Sequence, residues 1–275
     1  MRFKDVKRLN LVCCVTLILS NLLPVTFSRA ESGSINVAVP PEGYPPYILT
    51  SQTPATEHSD NVSGIMVEVL REAASRLDIR VNFQLIPEIR SQMMLNAGTI
   101  DARPESPKWV DNPKDYLWSE PITTINDVYV YCSKMPNYFE SDSDMAGAEI
   151  VTHLGYIYPT LEGLFESGQL HRDDRQSEEF MLNAIIQQKQ APRPGLIKAT
   201  VMDILVARWL INSIPRYQNQ FSFSHRIVDS ASYHFQFKGE NMKAIVEQLN
   251  TEIRAMRDSG EIDRITERIM AMEVH

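Results

Sequence analysis

Two phenol rings, Tyr44 and Tyr47, stand in a short run carrying the proline pairs Pro40-Pro41 and Pro45-Pro46. Proline fixes φ and gives no N–H to a ladder, so this loop has little conformational freedom. Rings mounted so stiffly at the end of a strand can wall a cleft for a small molecule; as a surface turn they would instead cover nearby core. Either way their chemistry is recognition, not bond-making. Asp203 stands directly before the apolar run 204–211, where its carboxylate can cap a helix. Arg90 lies on a helix whose other face, Ile89, Met93 and Met94, reads as core, so it either reaches a cleft or stays at the surface. The six histidines show no paired ligand spacing, and no metal or other cofactor is expected.

The elements that must position these groups follow from periodicity. Ile35, Val37 and Val39 alternate as a strand that ends at the first prolines. Ile65, Val69, Ala73 and Leu77 share one face of a helix over 64–77. Val81, Phe83 and Leu85 alternate as a second strand, and Pro87 and Gly98 bracket a second helix. Residues 100–102 read as a third short strand. From 127 the chain becomes β-rich, with Val128, Val130 and Cys132 facing one way and Tyr129 and Tyr131 the other. A polar stretch, 137–144, precedes a second series: a strand at 149–153, a helix from Pro159 to about 168, a helix capped by Ser177, a loop at 192–195 and a strand at 196–202. After residues 233–237 two amphipathic helices close the chain, broken at Ser259 and Gly260. Strands alternating with helices call for α/β architecture with mostly parallel sheets.

The first thirty residues read as a cleaved leader. Arg2, Lys4, Lys7 and Arg8 precede the apolar run 9–27, and Ser28 and Ala30 supply small residues before a cut at Glu31. That run is short for a bilayer span and is interrupted by Asn21 and Pro24. Cys13 and Cys14 come too early for lipid attachment. The whole chain of 275 residues has a formal charge of −8. The leader holds five Lys/Arg and one Asp, which leaves 22 basic and 34 acidic residues in the mature part. Such an acidic protein is a poor partner for nucleic acid or anionic lipid. Cys132 is then the lone thiol, with no disulfide or Cys-based metal centre to build.

Several segments in order resemble the periplasmic solute-binding proteins of ABC importers, of the amino-acid-binding type (solute-binding protein family 3). Residues 37–47 look like that family's first strand and ring-bearing loop, and Gly64 to Val69 like its Gly-Phe-Asp segment. Residues 95–101 (LNAGTID), 118–121 (WSEP), 154–155 (LG), 201–203 (VMD) and 259–263 (SGEID) are similar to later family signatures. The resemblance implies a type II two-lobe fold, each lobe a mostly parallel sheet flanked by helices. Lobe 1 would be 31–130 plus 230–275 and lobe 2 131–229, joined by two crossings that hinge shut on a ligand. Tyr44 and Tyr47 would wall the cleft, helix N-termini would take an anionic group, and Asp203 would take an ammonium. Gly155 and Tyr156 would contact ligand, or merely turn the chain from strand to helix.

Departures from the family bear on the ligand. The family's carboxylate-gripping arginine falls here at Asn112 or Pro113, and Met66 stands where aspartate is common. Arg103 is the candidate to take over the grip, unless it is paired with Glu105. The function implied is capture of a small polar, amino-acid-like solute in the periplasm and delivery to a membrane permease, by a monomer that is no enzyme. Two alternatives stand beside it. One is a periplasmic sensor that signals to a membrane partner. The other is a dehydratase-type enzyme on the same scaffold, for which Glu105 is the one candidate general acid.

Overall fold

Ile35, Val37 and Val39 are buried in β1 (Ser34–Val39), the first strand of a computed structural model that describes residues 33–50, 61–133, 139, 141–190 and 197–272. The leader, most of the polar segment after the Tyr loop, parts of the 137–144 stretch and the 192–195 loop lie outside the described residues. A two-residue pair, β2 (Leu49–Thr50) and β3 (Val62–Ser63), leads to α1 (Ile65–Ser75), β4 (Arg80–Leu85), α2 (Glu88–Asn96), β5 (Ala102–Glu105), β6 (Leu117–Trp118) and β7 (Thr123–Cys132). Then come β8 (Glu149–His153), α3 (Glu162–Glu166), β9 (His171–Arg175), α4 (Glu178–Gln190), β10 (Lys198–Asp203) and α5 (Ile204–Ser213). The chain closes with β11 (Phe221–Phe237), α6 (Lys243–Asp258) and α7 (Glu261–Met270).

The sheet runs β4-β1-β5-β11-β7-β10-β8-β9, with β6 also on β11. β1 pairs parallel with β4 and β5, and β8 pairs parallel with β9 and β10. β11 is antiparallel to β5, β6 and β7, and β7 to β10. Two parallel trios are therefore joined through β11, which pairs with the first at β5, and β7, which pairs with the second at β10, the two pairing with each other. Each trio is what helical crossovers between successive strands produce.

Side-chain alternation decides which face meets which helix. In β7, Val128, Val130 and Cys132 join a core with Met181, Leu182 and Ile185 of α4, while Tyr129 and Tyr131 join another with Tyr158, Leu161 and Leu170. The first trio packs on α1, whose Ile65, Met66, Val67, Val69, Leu70, Ala73 and Ala74 are all buried. α6 adds Val246, Leu249, Ile253 and Met256, and α7 adds Ile262, Ile265 and Ile269, at helical spacing. Each large apolar side chain so buried stabilises by roughly 1.5–3 kcal/mol. Between α6 and α7, Gly260 takes φ 69, a left-handed turn that suits glycine.

Five details differ from the sequence reading. β5 starts at Ala102, not at residue 100, and α3 starts at Glu162, three residues after Pro159. α2 buries Ser91 and Leu95, while Ile89 is 82% exposed and Met93 67% exposed, so of the face expected as core only Met94 packs inward, partly buried. β9, of sequence HRDDR, gives no apolar signal and forms a charged sheet edge, which discourages pairing with other chains. Residues 221–237, which the sequence reading assigned to no element, form the long strand β11.

Candidate functional site

The start of α1 holds the Tyr loop. The N–H groups of Ile65 and Met66 donate to the carbonyls of Pro46 (3.1 Å) and Tyr47 (3.0 Å), which satisfies helix donors that have no partner within the helix. Tyr44 and Ile48 exchange two backbone hydrogen bonds at 2.8 and 2.9 Å. Gly64, at φ 110, lies so close that a Cβ there would sit 2.5 Å from the Tyr47 carbonyl oxygen. With the loop so pinned, Tyr44 stacks on Tyr47 at 5.5 Å, and Tyr233 meets both rings edge-on at 6.4 and 5.7 Å. Trp109 stands 5.8 Å from Tyr233.

Tyr47 is fully buried, and its hydroxyl donates to Asp203 Oδ1 at 2.8 Å. The same oxygen accepts from the N–H groups of Leu205 (2.9 Å) and Val206 (3.0 Å), so Asp203 caps α5. Asp203 Oδ2 accepts from the Asn126 N–H at 2.8 Å. Of the four donors, three meet Oδ1 and one meets Oδ2, so Oδ1 is crowded and Oδ2 keeps one acceptor position. Burial pushes the Asp203 carboxyl above its ordinary value, opposed by these four donors.

Register then places two more carboxylates beside it. Asp127 of β7 is the cross-strand partner of Asp203 on one side and of Asp229 on the other, so the three share one face of the sheet. Asp229 is taken by Lys108 Nζ and by the N–H of Ser230. Asp127 has no side-chain hydrogen bond or ion pair among the described residues. Burial, then Asp203 and Asp229, raise its pKa to about 7, with Lys108 opposing. Burial, then Asp203, Tyr156, Glu178 and Asp127, push the Tyr44 hydroxyl well above its usual range.

A second polar group sits on β5 and α2. Arg103, 5% exposed, donates from Nη1 to Glu105 Oε2 and to Gln92 Oε1, both at 2.7 Å, and from Nη2 to Glu88 Oε1 at 3.3 Å. Glu105 Oε1 accepts from the Ser106 N–H at 2.9 Å. Burial raises the Glu105 carboxyl, with Arg103 and that N–H pulling the other way. Tyr233, 7% exposed, has a hydroxyl with no hydrogen-bond partner among the described residues. Burial and then Glu105 and Glu88 raise its pKa.

From the other parallel trio, Gly155 at φ 85 turns the chain after β8 and sets Tyr156 against His153 at 4.0 Å. The Tyr156 carbonyl accepts from Arg172 at 2.7 Å, and the charges of Glu178 and Glu88 bear on its hydroxyl. The structure thus brings Tyr44, Tyr47 and Asp203 together; Tyr156, 39% exposed, acts on Tyr44, and Arg103 and Glu105 act on Tyr233, by charge alone. Arg90 is exposed on α2, about 200° around the helix from Glu88, and does not join them. Sequence reasoning missed Asp127, Tyr233, Glu88 and Glu178. For Asp127 the signal was a lone acid opening the apolar run 128–132; for the others there was none. Among the described residues no group of three or more His, Cys, Asp and Glu could hold a metal ion.

The sequence model of the bacterial extracellular solute-binding proteins, family 3, matches residues 35–272. No curated protein matches the chain. Among solved structures, an arginine 3rd transport system periplasmic binding protein from Legionella pneumophila is similar at TM-score 0.66 and 16% identity, over 86% of this chain and 100% of its own. The GluR0 ligand-binding core in complex with L-glutamate is similar at TM-score 0.65 and 16% identity, over 88% and 100%. The ancestral amino-acid-binding protein AncCDT-1, a precursor of cyclohexadienyl dehydratase, is similar at TM-score 0.63 and 14% identity, over 86% and 96%. At these identities the likeness is one of fold, the type II two-lobe arrangement of periplasmic binding proteins.

Proposed function

The chain belongs to the bacterial extracellular solute-binding proteins of family 3, and on that premise we propose that it captures a small polar, amino-acid-like solute between two lobes and delivers it to an ABC permease. Lobe 1 is then 31–130 plus 230–275 and lobe 2 is 131–229, with closure about β7 and β11. The observation that carries this reading is the convergence of side chains from both lobes. Tyr44, Tyr47 and Tyr233 come from lobe 1 and Asp203 from lobe 2, with Tyr47 bonded to Asp203. Export as a cleaved, periplasmic monomer completes the proposal. No described helix is long and apolar enough to cross a membrane.

A thermal-shift screen over amino acids, opines, small peptides and polyamines tests capture, since a ligand that binds only the folded form raises the melting temperature. At least one class raises it by several degrees; no rise with any class removes the capture function. The sensor reading shares the capture step and differs only in the membrane partner. For the dehydratase reading, the one favourable feature is the burial-raised carboxyl of Glu105. Its ion pair with Arg103 and its bond from Ser106 already engage both oxygens. Incubation with prephenate-like compounds is expected to give no turnover.

A further inference from the structure

Among the described residues around the rings, the cations and helix N-termini that could meet an anion are already engaged by the chain's own polar groups. The guanidinium of Arg103 is shared among Glu105, Glu88 and Gln92. Lys108 is held by Asp229. The N-terminus of α5 is capped by Asp203, that of α4 carries Glu178 and Glu179, and that of α2 carries Glu88. Acidic side chains in the first helical turn satisfy the positive end of the dipole, so these termini offer little to a ligand carboxylate. Among the described residues, the charges of Asp203, Asp127, Glu178, Glu105 and Glu88 bear on these rings, with Asp229 beside Asp127, against Arg103 and Lys108, both already paired.

What is left open accepts hydrogen bonds. The Asp127 carboxylate and the hydroxyls of Tyr44 and Tyr233 have no hydrogen-bond partner among the described residues, although Tyr233 is 7% exposed. Asp203 already accepts four hydrogen bonds, whereas its strand neighbour Asp127 has no side-chain hydrogen bond among the described residues, so Asp127 is the carboxylate with the most capacity to meet a ligand. An ammonium brings three donors and no acceptor, and the faces of phenol rings attract cations.

We propose, resting on the receptor reading above, that the captured solute is an organic amine or guanidine without a carboxylate, its cationic group held by Asp127 among the rings of Tyr44, Tyr47 and Tyr233. Asp127 faces Asp203 from β10, Asp229 from β11 and Lys108 from the turn after β5, and its charge reaches the hydroxyls of Tyr44, Tyr47 and Tyr158. Of these only Lys108 favours its ionised form, so burial, Asp203 and Asp229 keep Asp127 protonated below about pH 7. Affinity for amines therefore rises from pH 5.5 to pH 8, by roughly tenfold or more.

Calorimetric titration of the purified protein at pH 8 with matched pairs, cadaverine against lysine and agmatine against arginine, tests this. The expected result is that the carboxylate-free member of at least one pair binds about a hundredfold tighter, and that Asp127→Asn weakens it at least thirtyfold. The variant's circular dichroism and ligand-free melting temperature, unchanged or raised, show that it still folds. Equal or tighter binding of lysine or arginine overturns the proposal and leaves the receptor reading intact. So does binding confined to uncharged solutes in the thermal-shift screen. Retention of amine binding by Asp127→Asn overturns the assignment of the anchor. Absence of binding by any solute overturns both this proposal and the receptor reading.

Discussion

Asp127 makes the fold less stable than it could be, and the pH at which this shows follows from its neighbours. Its pKa in the folded chain, about 7, lies above the value near 4 of an unfolded carboxyl. Between those two values the folded state keeps a proton that the unfolded state has released, so the contribution of this group falls as pH rises through that window and is lowest above it. Asp127→Asn should therefore stabilise the protein by on the order of 2 kcal/mol at pH 8, after allowance for partial solvent access, and by nothing at pH 4. Urea unfolding at the two pH values checks this, and equal stabilities at pH 8 would falsify it. Arg103 shows the opposite case. Removing it as Arg103→Met leaves the buried carboxylate of Glu105 uncompensated beside Glu88, at a cost of about 3 kcal/mol in the same assay. Tyr47→Phe loses only the bond to a carboxylate that keeps three backbone donors, so about 1.5 kcal/mol is the expected loss. A loss above about 4 kcal/mol would mean that the hydroxyl does more than hold Asp203.

Among elements, the contact between the start of α1 and the Tyr loop is the tightest near the site. Gly64→Ala puts a methyl group 2.5 Å from a backbone oxygen at a φ of 110 that side chains rarely adopt. Relief requires the loop and helix to part, at about 2 kcal/mol or more. The near-ultraviolet dichroism of the stacked tyrosines should fall with it; an unchanged spectrum and melting temperature would show the loop to be held from elsewhere. Elements of this kind were legible where a buried face repeats. The alternation over 128–132 sorted its side chains into the two cores they occupy, and the spacings in 243–270 marked α6 and α7. Reading failed where burial does not follow polarity. Ile89 and Met93 looked like core, but α2 turns its polar Glu88 and Gln92 toward Arg103 and leaves those two exposed. β9 has no apolar residue at all, and its place is set by parallel pairing with β8. The candidate site was half visible for a related reason. Tyr44, Tyr47 and Asp203 are marked by local features, a proline frame and a cap, whereas Asp127 and Tyr233 enter only through pairing across strands distant in sequence.

For the whole molecule, an α/β architecture of two lobes with a β-rich connection was readable from the order of strands and helices, whereas β9 and β11, which complete the sheet, were not. The resemblance of short segments to family 3 pointed to the same architecture. Because β11 pairs with the first trio, β7 with the second and the two with each other, neither trio can lose its structure without uncovering a strand on which the other depends. Differential scanning calorimetry of the ligand-free protein should accordingly give one transition, with calorimetric and van't Hoff enthalpies in agreement; two resolved peaks would show the lobes melting separately. β11 itself carries a mechanical consequence. A ribbon of 17 residues that is never interrupted cannot swivel like a pin joint. It must take up rotation as twist, and the register shifts between Phe223, Ile227 and Asp229 are where its ladder is already broken. Opening the jaws then winds a torsion bar, which recoils when the load is released.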